Sequence, residues 1–204
     1  MKAIKYLTIA FLLLNHSVSE AQKNTSKGSN KDYPVRKLTI EPAFGMKFYP
    51  MPSPLISNLM QWNIKKRLSI ISHSSYTFNH AFLRDFNYIK TNYDYSLNQK
   101  FGIGTTFSST HFSHVFSLMA GIKYNAFKET LDNPEFEKMV VTMSSLSPDY
   151  GLMYNLKIGQ KKYFFSYRMY IPLYPYPAKS LDFNSVDGNM ANFTVEVGVG
   201  IRLK

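Results

Sequence analysis

The chain of 204 residues carries a formal charge of +11, contains no cysteine and is 16% aromatic. Its length suits one domain of ordinary size, and its apolar content of 45% argues against disorder throughout. The absence of cysteine excludes disulfides, thiolate metal sites, a cysteine nucleophile and a lipid-modified cysteine at a mature N-terminus.

The first 21 residues have the three parts of a secretory signal peptide. Two lysines precede an apolar run over residues 6–14, and small residues at Ser19 and Ala21 form a cleavage motif. This run is too short for a spanning helix, which needs about twenty residues. We therefore predict export with cleavage between Ala21 and Gln22, the alternative being an uncleaved anchor.

Residues 22–36 (QKNTSKGSNKDYPVR) are polar and basic, with no aliphatic residue before Val35. Such a segment buries too little surface to order itself, so it is predicted to be a flexible periplasmic arm. A basic arm suggests nucleic acid, but predicted export argues against that partner. The arm is therefore expected either to contact anionic lipid or simply to be solvated.

From Lys37 onward, apolar and polar residues alternate, as in strands whose successive side chains point to opposite faces. In the C-terminal run, Phe193, Val195 and Val197 alternate with Thr194 and Glu196. Eight such runs are predicted, at residues 37–48, 62–78, 86–97, 101–109, 114–127, 150–158, 163–173 and 193–203. The best helix candidate, residues 133–143, is equally compatible with a loop.

Alternation alone does not say which face of the sheet is inside, because a soluble barrel points its apolar phase inward. Three features favour a membrane barrel: five or six apolar positions per strand, aromatic residues at many strand ends, and connections that are longer at one end. The predicted outward connections are residues 49–61, 98–100, 128–149 and 174–192, and only the one at Asn98 is short. Residues 37–204 are therefore predicted to form an all-β, eight-stranded antiparallel up-and-down transmembrane β-barrel. The mean hydropathy of −0.22 fits this fold, because the polar phase offsets the apolar one.

The cleavage motif, the eight runs and the terminal strand FTVEVGVGIRLK resemble the small outer-membrane β-barrel proteins of the Bacteroidetes type. The resemblance covers Lys37 to Lys204. It implies a location in the outer membrane of a Gram-negative bacterium, with outer-membrane lipid, lipopolysaccharide and the barrel-assembly machinery as partners. Such barrels often end in an aromatic residue that the assembly machinery recognises, whereas here Leu203 and Lys204 stand at that position.

The polar phase of the strands is predicted to fill the lumen with paired charges, because eight strands enclose a space that side chains can fill. Glu196 is expected to pair with Arg168 on the preceding strand or with a basic residue of the first strand. The predicted lumen charge network consists of Glu41, Lys47, Arg67, His73, Asp94, Lys123, Lys157, Arg168, Glu196 and Arg202.

No catalytic, cofactor-binding or metal site is predicted, and the chain is expected not to be an enzyme. A barrel enzyme that cuts or moves acyl chains needs a histidine near a nucleophile at the outer rim. The predicted topology puts His80, His111 and His114 at the periplasmic end and His73 in the lower half of the lumen. Two alternatives stay open: a lipid-modifying acyl hydrolase or transferase that uses His73 with Ser69 or Ser75, and a secreted soluble ligand-binding β-barrel.

The outward connections are the predicted interaction surfaces. Residues 128–149 are locally acidic, and residues 174–192 are rich in aromatic residues and proline, with Tyr174, Tyr176 and Phe183 as candidate contact residues. The leading hypothesis is a barrel that presents these loops for adhesion, envelope integrity or docking of an envelope partner. The simpler interpretation is a pair of variable surface loops.

Overall fold

The computed structural model describes residues 38–48, 52–65, 67–78, 88–109, 111–132, 137–159, 161–173 and 193–203. They form eight antiparallel strands, each paired with its neighbours in sequence, and β1 pairs with β8 to close the barrel. The strands are β1 Leu38–Lys47, β2 Ser53–Asn63, β3 Leu68–Phe78, β4 Ile89–Ser108, β5 Phe112–Leu131, β6 Met139–Ile158, β7 Tyr163–Pro172 and β8 Thr194–Leu203. The predicted closed eight-stranded antiparallel barrel is confirmed.

Several predicted features lie outside the residues that the structure describes. They are the signal peptide with Ala21 and Gln22, the arm at 22–36, His80, and the loop residues Tyr174, Tyr176 and Phe183. Within the described ranges, no helix is long and apolar enough to cross a membrane.

The strand count is right because two errors cancel: one strand was missed, and another was predicted as two. β2 occupies part of the predicted first connection, and the predicted third and fourth strands are one strand, β4. β2 lacks a clear alternation because apolar residues occupy both of its faces. Leu55 and Leu59 point inward and are buried, whereas Ile56 and Met60 point outward.

β4, β5 and β6 are twenty residues long, about twice the length of the other strands. β3 pairs with β4 only from Tyr95 onward, and β7 pairs with β6 only from Gly151 onward. The remaining parts of the three long strands pair with each other and form a three-stranded extension of the barrel wall. The predicted acidic connection at 128–149 is therefore mostly strand.

The connections differ consistently between the two ends of the barrel. Those after β1, β3, β5 and β7 contain five, ten, seven and twenty-one residues, whereas those after β2, β4 and β6 contain four, three and four. We call the first end the long-connection end and the second the short-connection end. The predicted exception at Asn98 disappears, because that residue lies within β4.

The two faces of the barrel wall have opposite polarity. Large apolar side chains cover the outside, including Trp62, Ile103 and Leu118, each at least 59% exposed. Glu41 and Arg168 are inside and at most 1% exposed. The predicted apolar phase therefore faces outward, which overturns the alternative of a soluble barrel with an apolar interior.

Candidate functional site

An apolar cluster fills part of the lumen. It consists of Leu59, Ile71, Val115, Met119, Met153 and Tyr170. Each of these side chains is at most 2% exposed, whereas residues lining a water-filled channel are accessible to solvent. This part of the lumen is therefore blocked by packed side chains, which fits the small diameter of an eight-stranded barrel.

Three buried carboxylates lie around this cluster, and the first belongs to Glu41 on β1. Lys157 from β6 forms an ion pair with it across the lumen, and the Asn155 amide donates a hydrogen bond to Oε2 at 2.8 Å. The Lys157 amine also donates to Gln61 Oε1 at 2.7 Å and to Thr39 Oγ1 at 3.2 Å. These contacts join β1, β2 and β6 and give the buried ions the partners they need.

The second carboxylate belongs to Glu196 on β8. Arg168, its cross-strand neighbour on β7, places Nε 3.4 Å from Oε2. His73 from β3 lies 3.2 Å from both carboxylate oxygens, and Ser57 from β2 donates a hydrogen bond at 2.6 Å. Arg168 also donates to the backbone oxygen of Glu41 at 3.1 Å, which connects the two clusters.

The third carboxylate belongs to Asp149 on β6. Lys100 from β4 lies 3.2 Å from Oδ2, and the Tyr170 hydroxyl donates to Oδ1 at 2.5 Å. Asn98 also donates to Oδ2 at 2.5 Å, and the Lys100 amine stands 3.6 Å from the centre of the Tyr170 ring. A desolvated cation over an aromatic face adds to the attraction that its carboxylate provides.

The structure brings five of the ten predicted network residues into direct contact: Glu41, His73, Lys157, Arg168 and Glu196. Lys47 and Lys123 are also buried. The other three lie elsewhere. Arg67 is exposed at the short-connection end, Asp94 is half-buried on the extension, and Arg202 donates to the backbone oxygens of Lys161 and Gly159 in the turn after β6.

Lys100 and Asp149 are the network residues that the sequence prediction missed, because it placed both in connections. A usable signal was present for Lys100. Outward-facing residues continue in one phase through Leu97, Gln99 and Phe101, so Lys100 falls on the inward face. Asp149 follows a proline in a serine-rich segment, which resembles a loop.

Gly151 makes room for this third cluster. A Cβ placed there would overlap both the Tyr170 ring, which packs directly over the glycine backbone, and the backbone oxygen of Ile171. We expect Gly151→Val to destabilise the barrel by about 1–3 kcal/mol, since it displaces Tyr170 from Asp149. Unfolding in urea measures the loss, and Gly151→Val with Tyr170→Leu is expected to recover part of it. An unchanged midpoint in the single variant would contradict this packing.

The alternative of an acyl-transferring enzyme centred on His73 receives no support from the geometry. A nucleophilic serine must donate its proton to the imidazole. Here the ring of His73 hydrogen-bonds to the Glu196 carboxylate, and Ser69 donates to the backbone oxygen of Gly104 instead. No hydrogen bond joins Ser75 to His73 among the described residues. His73 is also only 1% exposed, which keeps substrate away from it. Among the described residues, no group of three potential ligands is placed to hold a metal ion.

The long-connection end carries a separate acidic pair on the extension. Glu129 on β5 is buried near Asp94 on β4, and its desolvation together with the neighbouring carboxylate raises the pKa of Glu129. This pair lies on the extension, apart from the three carboxylates in the lumen.

No family model matches the chain, and no curated protein matches it in sequence. Among solved structures, Neisserial surface protein A is similar with a TM-score of 0.51 and 9% identity, over 81% of this chain and 96% of that one. The N-terminal β-barrel domain of Pseudomonas aeruginosa OprF has a TM-score of 0.42 and 13% identity over 81% and 96%. A major outer membrane protein from Thermus thermophilus has 0.43 and 9% over 80% and 98%. At such identities the comparison with the first of these supports the fold alone.

Proposed function

We propose that this chain is an integral outer-membrane β-barrel of the small Bacteroidetes type, which presents its long connections at the cell surface and catalyses no reaction. The inverted polarity of the wall carries the proposal. Ile103 and Leu118 are at least 60% exposed, while the ion pairs are inside. Soluble monomers rarely expose apolar patches above a few hundred Å², whereas a bilayer solvates such a surface.

The height of the apolar surface agrees with a bilayer. Outward positions on β3 and β4 run from Leu68 and Thr105 to Phe78 and Tyr95, which makes six rows of paired residues. Successive rows are two residues apart along the strand, and strand tilt reduces their spacing along the barrel axis to about 5 Å. The five intervals between six rows therefore span about 25 Å. This matches the apolar band of outer-membrane barrels.

Aromatic clusters lie at both ends of this band, where they favour a membrane interface. Toward the long-connection end the rings of Tyr76, Phe78, Tyr93, Tyr95 and Tyr124 contact one another. Toward the short-connection end the contacting rings are Phe107, Phe116 and Tyr154.

The long-connection end is assigned to the cell surface, with outer-membrane lipid and lipopolysaccharide around the band and the barrel-assembly machinery as the insertion partner. Long external and short periplasmic connections are the rule for such barrels. The twenty-one-residue connection after β7 contains Tyr174, Tyr176 and Phe183, the candidate contact residues for adhesion or for docking an envelope partner.

The orientation is tested with a peptide tag inserted into residues 174–192 and, as a matched control, into the β4–β5 connection. We expect an antibody to bind the first tag on intact cells and the second only after permeabilisation. The protein should fractionate with the outer membrane and change its gel mobility on heating, as a closed barrel does. Release by high salt as a folded monomer in plain buffer would refute the proposal.

The blocked lumen makes a separate prediction about transport. Because the apolar cluster and the ion pairs occupy the lumen, the protein in a planar bilayer is expected to give no stepwise conductance above that of the bare bilayer. A wider porin provides the positive control. Stable conductance steps from the folded protein would contradict a filled lumen.

A further inference from the structure

The connections at the two ends of the barrel carry charge of opposite sign. The three at the short-connection end contain five Lys or Arg residues and no Asp or Glu. The four at the long-connection end contain three basic and six acidic residues. The basic residues of the short-connection end lie in two connections, which we call the basic turns. They are Lys65, Lys66 and Arg67 after β2, and Lys161 and Lys162 after β6.

The positive charge of the basic turns is exposed and has no acidic neighbour to balance it. Lys65, Arg67, Lys161 and Lys162 are all exposed, and none of the four forms an ion pair with a described carboxylate. Like charges in one short turn repel each other, and an anion between them relieves that repulsion. The basic turns therefore favour an anionic partner.

The first basic turn begins where the apolar band ends. Ile64 and Leu68 face outward on either side of it and are 52% and 38% exposed. The backbone N–H groups of Ile64 and Lys65 both donate to the backbone oxygen of Leu68, at 2.9 and 3.2 Å. This tight turn keeps Lys65 and Arg67 one residue away from apolar side chains at the edge of the band.

The second basic turn has a similar neighbour. Tyr163 follows Lys162 directly and is 60% exposed, and the Lys162 amine stands 5.7 Å from the centre of the Tyr163 ring. The two turns are four strands apart in either direction around the closed sheet. They therefore lie on opposite sides of the barrel, at the same end.

The position of the basic turns selects the kind of anion. The headgroup layer of a bilayer extends about 5–7 Å beyond the hydrocarbon on each side. A turn that starts one residue beyond the apolar band lies in this layer, where the flexible stems of lysine and arginine bring their charges to lipid phosphates. Carboxylates of the cell-wall polymer lie farther from the hydrocarbon. A phospholipid places its phosphate beside the basic residues and its acyl chains beside Ile64 and Tyr163, so one ligand satisfies both kinds of side chain.

We propose that each basic turn binds the headgroup of an anionic phospholipid in the periplasmic leaflet. The proposal rests on the membrane location and orientation proposed above. Lys65 and Arg67 contact the phosphate at the first turn, and Lys161 and Lys162 contact it at the second. The acyl chains of the first lipid run past Ile64 toward Trp62, which lies one row farther into the band.

The test measures fluorescence of Trp62, the only tryptophan of the protein, which is 59% exposed on the outer face. The protein is placed in phosphatidylcholine vesicles that contain a small fraction of brominated phosphatidylglycerol or of brominated phosphatidylcholine with the same acyl chains. We expect the anionic probe to quench Trp62 at about three- to tenfold lower mole fraction, the range that one basic side chain near an anionic headgroup gives. The preference should disappear in about 1 M salt, which screens the attraction.

The variant Lys65→Gln with Arg67→Gln should remove this preference. Both side chains are exposed, so the variant is expected to fold, which its heat-modifiable gel mobility checks. Lys161→Gln with Lys162→Gln is the matched control, because it removes the same charge at the same end but far from Trp62, and it should keep the preference. Moving the tryptophan to the second turn, with Trp62→Phe and Tyr163→Trp, should exchange the roles of the two double variants.

Each possible failure has its own meaning. Equal quenching by both probes, a preference that survives Lys65→Gln with Arg67→Gln, or one that persists in high salt overturns the lipid sites and leaves the membrane barrel intact. An equal loss of preference in both double variants replaces local binding by a general effect of net charge and overturns the proposal. Absence of quenching by either probe overturns the membrane location itself. Equal quenching together with co-sedimentation on purified peptidoglycan, lost in the double variants, identifies the cell wall as the partner instead.

Discussion

Replacement of Glu41 by leucine is expected to destabilise the barrel by about 3–5 kcal/mol, because the change leaves a buried cation without its carboxylate. Glu41 is 0% exposed, and its carboxylate is the acidic partner of Lys157. In the variant, Lys157 keeps only the neutral acceptors Gln61 and Thr39. The Asn155 amide also loses its acceptor at the Glu41 carboxylate.

Urea unfolding of the protein in vesicles, followed by Trp62 fluorescence and gel mobility, measures this loss. The matched control is the double variant Glu41→Leu with Lys157→Met, in which both charges are replaced by apolar groups. Removal of a complete buried pair is often close to neutral, so the double variant should regain most of the stability. The single variant Lys157→Met completes the comparison. If the loss in the double variant equals the sum of the losses in Glu41→Leu and Lys157→Met, the two residues do not act as a pair.

The sequence predicts closure and the identity of several lumen residues because period-two alternation survives along β1, β7 and β8. Glu41, Arg168 and Glu196 all occupy the polar phase of clear alternations, and that phase faces inward. Alternation does not specify how far each strand is shifted along its neighbours, nor which side chains meet across the lumen. Contacts across the lumen, such as the pair of Glu41 with Lys157, depend on closure and on strand stagger.

The missed features have local physical reasons. β2 has leucines inward and Ile56 and Met60 outward, so its apolar residues do not alternate. The outer half of β6 pairs with β5 along its whole length and with no other described strand, so its serines and Pro148 are tolerated at a sheet edge. From the sequence alone that segment is predicted to be a loop, so Asp149 was not assigned to the lumen.

Ile122→Arg tests the environment of the wall and is expected to cost about 2–4 kcal/mol, the penalty for a basic residue near the bilayer midplane. Ile122 is 53% exposed and lies opposite Gln99 in the fourth of the six rows counted from Leu68, close to the middle of the apolar band. If water surrounded this face, an arginine would be solvated there, and the change would stay within about 0.5 kcal/mol.

Val140→Arg is the matched control for this change. Val140 is 52% exposed on the extension, opposite Thr130 and beyond the six rows of the apolar band. We expect it to cost at most about 1 kcal/mol, as basic residues near the interface do. Both variants replace an exposed β-branched strand residue and add one positive charge, so strand propensity and net charge cancel in the comparison. Equal losses of stability at the two positions would mean that depth in a bilayer has no influence on the penalty. A loss about 2 kcal/mol larger at Ile122 would show that it lies deeper in the bilayer than Val140.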